Sequence, residues 1–291
     1  MRFTLAMLVV LLAPGCAGPV ETPVGQLDST PHETGLSFVD GALDGPTPAG
    51  DSGTDSATRD SAAQDTTPAP KLLERTLSYT GTGGSTWLHV VSRSPGATEV
   101  SVRTARTNKD LTPQFVSALA TQIAASQCKD VKISGTFSDG APFTTTVSSC
   151  LAGHNVTIFH VTVANGSTTP PQTHGTVSMD PQNTSLPYER SLFHVGSGGG
   201  EWLHVLRLPA GETLVEVRTV NGHDGFEPGF HDNQVDLAAQ TCKSTTLVGT
   251  DKSTGVKHTT TVDYCRSGSS VTIEHSSDGN PAQLHGSIPI E

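Results

Sequence analysis

Apolar and polar residues alternate in short runs along most of residues 73–291, a pattern typical of β-strands. In the run Glu99-Val100-Ser101-Val102-Arg103, every second side chain is apolar. The runs 75–80 and 86–93 are predicted to form a hairpin across the glycine-rich loop 81–84. Turn sequences rich in Gly, Pro, Asn and Asp separate about seven such runs in each half of this region. The pattern therefore predicts antiparallel β-sheets.

One segment in each half departs from this alternation. Phe115, Leu119 and Ile123 lie four residues apart, as the apolar stripe of a helix does. Thr112-Pro113 precedes them, which suits an N-cap followed by the first helical residue. We therefore expect a helix over residues 113–126 and a shorter one over 231–241. The expected fold class is mainly β with one helix per module, that is, α+β.

The sequence Trp87-Leu88-His89-Val90 occurs again 115 residues later, as Trp202-Leu203-His204-Val205. Its flanking sequences recur in the same order: 73–77 with 188–192, 102–104 with 217–219, and 144–147 with 259–262. We interpret this recurrence as a tandem duplication of one domain-sized module. The expected arrangement is two homologous, sandwich-like antiparallel modules, residues 73–180 and 188–291, joined by a linker over residues 181–187.

Four cysteines fall two to each module: Cys128 and Cys150, then Cys242 and Cys265. Four cysteines allow three pairings, and the repeat selects 128–150 with 242–265, because each module must close independently. This pairing centres the two hairpins within residues 138–140 and 251–255, both of which are turn sequences. We therefore expect one cross-strand disulfide hairpin in each module, and with it an oxidising compartment.

The N-terminus is typical of a signal peptide, which we place at residues 1–15. Arg2 precedes the apolar run 3–13, which is too short to span a bilayer. Leu11-Leu12 and Gly15-Cys16 then resemble the lipobox of bacterial lipoprotein precursors, whose cysteine is lipidated and becomes the new N-terminus. The resemblance implies lipidation of Cys16 and, because Ala17 is not Asp, anchoring to the outer membrane with a periplasmic or surface-exposed protein. Cleavage after Ala17 is the alternative, and it would give a freely secreted protein.

Residues 16–72 are rich in Pro, Thr, Ser, Asp and Gly and show almost no periodic apolar pattern. Such a segment buries too little apolar surface to offset its ordering entropy, so we predict a disordered tether. The tether is acidic, since residues 17–72 hold nine acidic and two basic residues. The whole chain has a net charge of −11 and no basic cluster, which argues against nucleic acid as a partner.

Histidines are the principal candidates for chemistry, because three of them recur in both modules. The pairs are His89 and His204, His160 and His275, and His174 and His285. Three histidines per module match the ligand count of zinc sites, so zinc or copper binding is one hypothesis. Hydrogen-bonded sheet histidines are the other. Strand alternation favours the second hypothesis, because it turns His160 toward the core and His174 away from it.

Trp87 and Trp202 are the only tryptophans in the sequence, and they occupy the same place in the repeat. They are either core residues or binding platforms on which a sugar or peptide could stack. The second module also has a polar loop without a counterpart in the first. This loop combines His223, Asp224, Glu227, His231 and Asp232, and it is either an asymmetric site or a solvated loop.

The sequence lacks the Gly-x-Ser-x-Gly pattern of a nucleophile elbow, and pairing of the four module cysteines leaves no reactive thiol among them. We therefore predict no catalytic residues, and a hydrolase is the least favoured function. The favoured function is a cell-envelope lipoprotein that presents two modules in a non-catalytic binding or structural role. The expected partners are the membrane, through the lipid anchor, and an envelope protein or polysaccharide. No cofactor is expected apart from the zinc or copper of the metal hypothesis.

Overall fold

A computed structural model describes residues 71–183 and 185–290, and it contains nineteen β-strands in these residues. The strands of the first half are β1 Leu73–Thr80, β2 Thr86–Arg93, β3 Val100–Thr107, β4 Leu111–Thr112, β5 Phe115–Ile123, β6 Cys128–Phe137, β7 Pro142–Ala152, β8 Asn155–Ala164, β9 Ser167–Thr168 and β10 Gln172–Ser178. The strands of the second half are β11 Tyr188–Val195, β12 Glu201–Leu208, β13 Val215–Gly222, β14 Phe226–Glu227, β15 Phe230–Leu237, β16 Cys242–Asp251, β17 Lys257–Ser267, β18 Ser270–Ser277 and β19 Gln283–Pro289. The prediction of mainly antiparallel β structure is confirmed.

Each half consists of two antiparallel sheets. In the first half, an inner sheet has the strand order β1-β2-β3-β5, and an outer sheet has the order β10-β8-β7-β6-β4, with β9 paired to β8. In the second half, the inner sheet has the order β11-β12-β13-β15 and the outer sheet the order β14-β16-β17-β18-β19. The inner and outer sheets of a half share one apolar core, so they pack face to face.

The two inner sheets pack against each other, which makes a stack of four sheets. Along β2, alternate side chains face opposite ways. Trp87 and Val91 pack in the core of the first half, whereas Leu88 and Val90 pack against Leu203 and other residues of the second half. Burial on both faces explains why the recurring Trp-Leu-His-Val sequence has apolar residues at successive positions and not only at alternate ones.

Two buried glutamates connect the halves reciprocally. The carboxylate of Glu74 accepts hydrogen bonds from the backbone N–H and the hydroxyl of Ser191, both at 2.9 Å. The carboxylate of Glu189 accepts the equivalent bonds from Thr76, at 2.9 and 2.7 Å. β1 and β11 are edge strands of their sheets, so each glutamate satisfies a backbone donor that the edge would otherwise leave unpaired.

The predicted helices are wrong, because the described residues contain no α-helix. Residues 115–123 instead form β5, which pairs with β3, and residues 230–237 form β15, which pairs with β13. Phe115 packs between the two halves, while its neighbour Val116 packs in the core of the first half. A segment buried on both faces at adjacent positions suits a strand with a period of two, and its hydrogen bonds to β3 outweigh a weak helical preference.

Both predicted disulfide hairpins are confirmed. Cys128 is bonded to Cys150 and Cys242 to Cys265, in each case at directly opposed positions of a hairpin. The turns fall at the predicted centres, and Cys128 and Cys242 are exposed. The disulfides therefore join neighbouring strands of each outer sheet at the protein surface.

Several predictions lie outside the described residues. These are the signal peptide over residues 1–15, the lipidated Cys16 and all but the last two residues of the tether over 16–72. The described residues contain no helix that is long and apolar enough to cross a membrane.

Candidate functional site

Three buried histidines of the first half form one hydrogen-bonded chain between its two sheets. On the inner sheet, Nδ1 of His89 lies 3.0 Å from Oγ1 of Thr104, and its Nε2 lies 2.7 Å from Nδ1 of His174. On the outer sheet, Nε2 of His174 lies 2.6 Å from Nδ1 of His160. The chain therefore connects the two sheets through groups that would be costly to bury without partners.

The second half contains the equivalent chain with one additional member. Nδ1 of His204 lies 2.8 Å from Oγ1 of Thr219, and its Nε2 lies 2.7 Å from Nδ1 of His285. Nε2 of His285 then lies 2.5 Å from Nδ1 of His275. The buried hydroxyl of Tyr264 donates to Oγ1 of Thr219 at 2.8 Å, so this chain continues from Tyr264 to His275.

The expectation that His174 points away from the core is wrong, because β10 contains a bulge. Thr173 pairs with Phe159 and Gly175 with Ile158, so His174 is the extra residue of the bulge. Gly175 has a φ of 150°, which residues with a side chain rarely adopt. In the second half, His285 precedes Gly286, whose φ is 146°, at the matching register shift of β19. The bulges turn both histidines inward.

The chain histidines are uncharged at neutral pH. Burial, reinforced by the neighbouring imidazoles, lowers the pKa of His89 and of His204 to about 3. The same causes lower the pKa of His174 to about 4 and that of His285 to about 2. Burial also lowers the pKa of His160 and His275. The chains are thus networks of neutral imidazoles.

The geometry of the histidines is that of hydrogen bonding. Two nitrogens bound to one tetrahedral zinc, each at 2.0–2.1 Å, lie about 3.3 Å apart. The nitrogens of His174 lie 2.7 Å from His89 and 2.6 Å from His160, and both are used. Among the described residues, no group of three or more His, Cys, Asp and Glu side chains is arranged to hold a metal ion. Zinc or copper binding at these histidines stays a prediction.

Both tryptophans lie in the apolar cores, where they are 2% and 5% exposed. The Trp87 ring stacks on His160 with 5.2 Å between ring centroids, and Trp202 stacks on His275 at 5.1 Å. Their indole nitrogens differ in surroundings. Nε1 of Trp87 is sealed from solvent without a hydrogen-bond partner, whereas Trp202 borders a cavity. A stacking platform at either ring stays a prediction.

The cavity, of about 540 Å³, lies in the second half above Trp202 and His275, between the inner and outer sheets. Its lining combines aromatic, amide, hydroxyl and imidazole side chains with glycines. The lining residues are Gly196, Ser197, Gly198, Gly200, Trp202, Asn221, His223, Phe226, Pro228, His231, Leu247, Gly249, His258, Thr260, His275, Ser277, Asp278, Asn280, Pro281 and Gln283. Its volume lies within the range of small-molecule sites, and a few polar groups converge on a partly apolar surface, as such sites require.

Two larger side chains fill the equivalent space in the first half. Arg106 pairs with Trp87 as Asn221 pairs with Trp202, and Phe143 is opposite Gly135 as His258 is opposite Gly249. The guanidinium carbon of Arg106 lies 5.3 Å from the centre of the Phe143 ring, and the two residues are 1% and 4% exposed. The first half is therefore closed where the second half is open.

Of the five polar residues that the sequence singled out in the loop over residues 223–232, only the two histidines belong to the cavity lining. His223 and His231 line the cavity, but Asp224, Glu227 and Asp232 do not. His223 contacts the glycine-rich loop over residues 196–200, because its Nε2 lies 2.7 Å from the carbonyl oxygen of Gly198.

Sequence reasoning missed His258 and Asp278, which also line the cavity. Nδ1 of His258 lies 2.5 Å from the carboxylate of Asp278. A comparison of the two halves position by position could have found His258, since a phenylalanine takes its place in the first half.

No family model matches the chain, and no curated protein matches it. Among solved structures, the chain is similar to the crystal structure of S. cerevisiae core factor, with 9% sequence identity and a TM-score of 0.15. The similarity covers 77% of this chain and 51% of that chain, so this chain spans about half the length of the other. A TM-score this low carries no argument about fold or function.

Proposed function

We propose that the protein is an exported, lipid-anchored binding protein of the cell envelope, and that its second module binds one small ligand in the cavity above Trp202 and His275. The observation that carries the proposal is the open cavity of about 540 Å³, whose equivalent in the first half is filled by Arg106 and Phe143. In this proposal the modules descend from one ancestor, and the first supports the fold of the second across their shared interface.

A non-catalytic role is supported by where the hydroxyl–imidazole pairs lie. Thr104 with His89 and Thr219 with His204 are the pairs that could resemble a nucleophile and its base. His89 and His204 are both 0% exposed, so a substrate could not reach either of them. The cavity reaches the chain only at His275, and the cavity hydroxyls of Thr260 and Ser277 lie 2.7 Å from each other, with no imidazole hydrogen-bonded to either among the described residues.

Closing the cavity tests whether it is the binding site. The double variant Asn221→Arg with His258→Phe places in the second half the two residues that fill the first. The control, Asn155→Arg with His154→Phe, makes the same changes at exposed positions of the first half. Ligand-observed NMR is run against a panel of neutral sugars, amides, carboxylates, phosphates and amines.

We expect at least one panel compound to bind the wild type and the control once per chain, and to lose binding in the closed variant. Absence of binding by every compound at millimolar concentration would contradict the proposal. Binding that persists in the closed variant, with its melting temperature near that of the wild type, would also contradict it.

Export and anchoring are tested on the full-length precursor in a Gram-negative host. The wild type should incorporate a fatty-acid label and fractionate with the outer membrane. The Cys16→Ser variant should take up no label and appear in a soluble fraction. An unlabelled wild type, or a Cys16→Ser variant that stays with the membrane, would refute the anchor.

Zinc or copper binding is the second candidate function, favoured by the three histidines that come together in each half. It would require the imidazoles to exchange their mutual hydrogen bonds for a metal. Elemental analysis of the untagged, exported protein should then give close to two metals per chain, lost in His89→Ala with His204→Ala. A metal-free protein that takes up no added zinc or copper would exclude it.

A further inference from the structure

The cavity is bordered by an indole N–H that has no acceptor among the residues that the structure describes. This N–H belongs to Trp202, whose Nε1 lies near Gly200: a Cβ built on that glycine would be 3.5 Å from the nitrogen. Nε1 of Trp202 makes no hydrogen bond within the described residues. In contrast to Nε1 of Trp87, it is not sealed off from solvent. An indole nitrogen can only donate, so this position favours an oxygen acceptor on a ligand.

The hydrogen-bond chain supplies a second candidate donor, His275, which lines the same cavity as Trp202. The hydroxyl of Tyr264, which is 1% exposed, donates to Oγ1 of Thr219. Nδ1 of His204 is the one acceptor near the Thr219 hydroxyl among the described residues, so we assign the Thr219 hydrogen to it, and in this tautomer Nε2 of His204 donates to Nδ1 of His285. His285 in turn donates from Nε2 to Nδ1 of His275. Since a neutral imidazole carries one hydrogen, this assignment places the hydrogen of His275 on Nε2, which makes no hydrogen bond within the described residues.

The described residues that line the cavity carry no unpaired charge. Asp278 is the one acidic residue among them, and they include no Lys or Arg. The carboxylate of Asp278 accepts from the backbone N–H of Thr259 at 2.8 Å and contacts Nδ1 of His258 at 2.5 Å. An anionic ligand would meet no Lys or Arg here, and a cationic ligand would meet a carboxylate that is already paired with His258. The floor donors therefore suit an uncharged acceptor such as an amide carbonyl.

The walls offer groups that both donate and accept. Gln283 makes no side-chain hydrogen bond within the described residues, whereas Gln172, in the equivalent strand of the first half, accepts from Tyr79 at 3.2 Å. Asn280 uses its amide nitrogen on the carbonyl oxygen of Ser277, at 2.8 Å, which leaves its amide oxygen available. Amides of this kind match the hydroxyl groups of a sugar ring, each of which can also donate and accept.

We propose that the cavity binds an N-acetylated amino sugar, whose acetamido oxygen accepts hydrogen bonds from Nε1 of Trp202 and Nε2 of His275. This inference rests on the proposed binding function and specifies its ligand class. The volume of about 540 Å³ accommodates a ligand of one or two sugar rings.

Isothermal titration calorimetry of the full-length mature protein tests the ligand class with two matched disaccharides. N,N′-diacetylchitobiose carries two acetamido groups, and cellobiose carries hydroxyls in their place. We expect one diacetylchitobiose to bind per chain. Cellobiose should bind with an affinity at least about tenfold lower, because Nε1 of Trp202 and Nε2 of His275 would be left unpaired. This comparison uses the wild-type protein, so it does not depend on the folding of a variant.

The Trp202→Phe variant keeps an aromatic ring and removes the indole N–H, so it should bind diacetylchitobiose about tenfold more weakly. Trp87→Phe is the matched control in the closed half and should bind as the wild type does. Equal affinity for the two disaccharides would overturn the inference, as would a folded Trp202→Phe variant with unchanged affinity. If neither sugar binds but another panel compound occupies the cavity, the inference fails and the proposed function stands; if nothing binds, both fail.

Discussion

Lowering the pH from 7 to 5 should destabilise this protein strongly, because its buried histidines are neutral in the folded state. An unfolded histidine has a pKa of about 6.5. Burial holds the pKa of His89, His174, His204 and His285 between about 2 and about 4 in the fold. Below pH 6.5 the unfolded state therefore binds more protons than the folded state. The free energy of unfolding is at its full value above pH 6.5 and falls as the pH decreases from there.

The size of the effect follows from these four groups. Each buried histidine lowers the free energy of unfolding by about 1.4 kcal/mol per pH unit below pH 6.5, which amounts to about 2 kcal/mol at pH 5. Together the four histidines cost about 8 kcal/mol at that pH, on the order of the whole stability of an average domain. Burial raises the pKa of Glu74 and Glu189, so these two groups act in the opposite sense near and above pH 4.5. We expect the histidines to dominate between pH 6.5 and 5.

Urea denaturation at pH 7.0, 6.0 and 5.5, followed by tryptophan fluorescence and circular dichroism, measures the slope of the unfolding free energy. We expect little change above pH 6.5 and a fall of about 5 kcal/mol per pH unit at the acid end. His285→Asn should reduce that slope by about 1.4 kcal/mol per pH unit, whatever its effect on stability at pH 7. Gln127→Asn, which changes an exposed residue that does not titrate, should leave the slope unchanged. A stability that is flat from pH 7 to 5.5 would refute the neutral, buried network.

Two further predictions concern the hairpins and the contact between the halves. Replacing Cys128 and Cys150 by serine should lower the free energy of unfolding by about 3 kcal/mol, because the disulfide constrains a loop of about 22 residues in the unfolded chain. Equilibrium denaturation measures this change, and an unchanged denaturation midpoint would contradict it. Gly222→Ala should lower the free energy of unfolding by about 1–3 kcal/mol, because the added carbon would lie 2.0 Å from the Phe115 ring. The control is Gly83→Ala, whose added carbon meets nothing within 4 Å, and equal melting temperatures of the two variants would contradict the close packing.

The sequence was most informative where a constraint acted at short range. The hairpin turns and disulfides followed from cysteine spacing, because directly opposed residues of a hairpin are fixed once its turn is located. The helix prediction over residues 113–126 failed, because a spacing of four residues is also compatible with a strand. What decides the outcome at β5 is the unpaired edge of β3 and burial on both faces, and neither is visible in the local sequence.

The candidate site depended on features that periodicity hides. A single bulge before Gly175 reverses the direction of His174, and sequence alternation carried through that position gives the wrong face. The packing of the two inner sheets against each other was not predicted either. The apolar residues on both faces of the Trp-Leu-His-Val strand are the sequence feature that corresponds to it. The cavity depends on a difference of two side chains between the halves, Asn221 for Arg106 and His258 for Phe143.

The comparison of the halves separates what maintains the fold from what serves the site. The chain from Thr104 to His160 is buried in the half where Arg106 and Phe143 fill the space equivalent to the cavity, so satisfying buried polar groups between two sheets is sufficient reason for its presence. The same reason applies to its counterpart in the second half, which means that recurring histidines are weak evidence of function. The features that distinguish the second half are therefore the ones to which we assign ligand binding: the open space beside Asn221 and His258, and the nitrogens of Trp202 and His275 that make no hydrogen bond within the described residues and belong to side chains lining it.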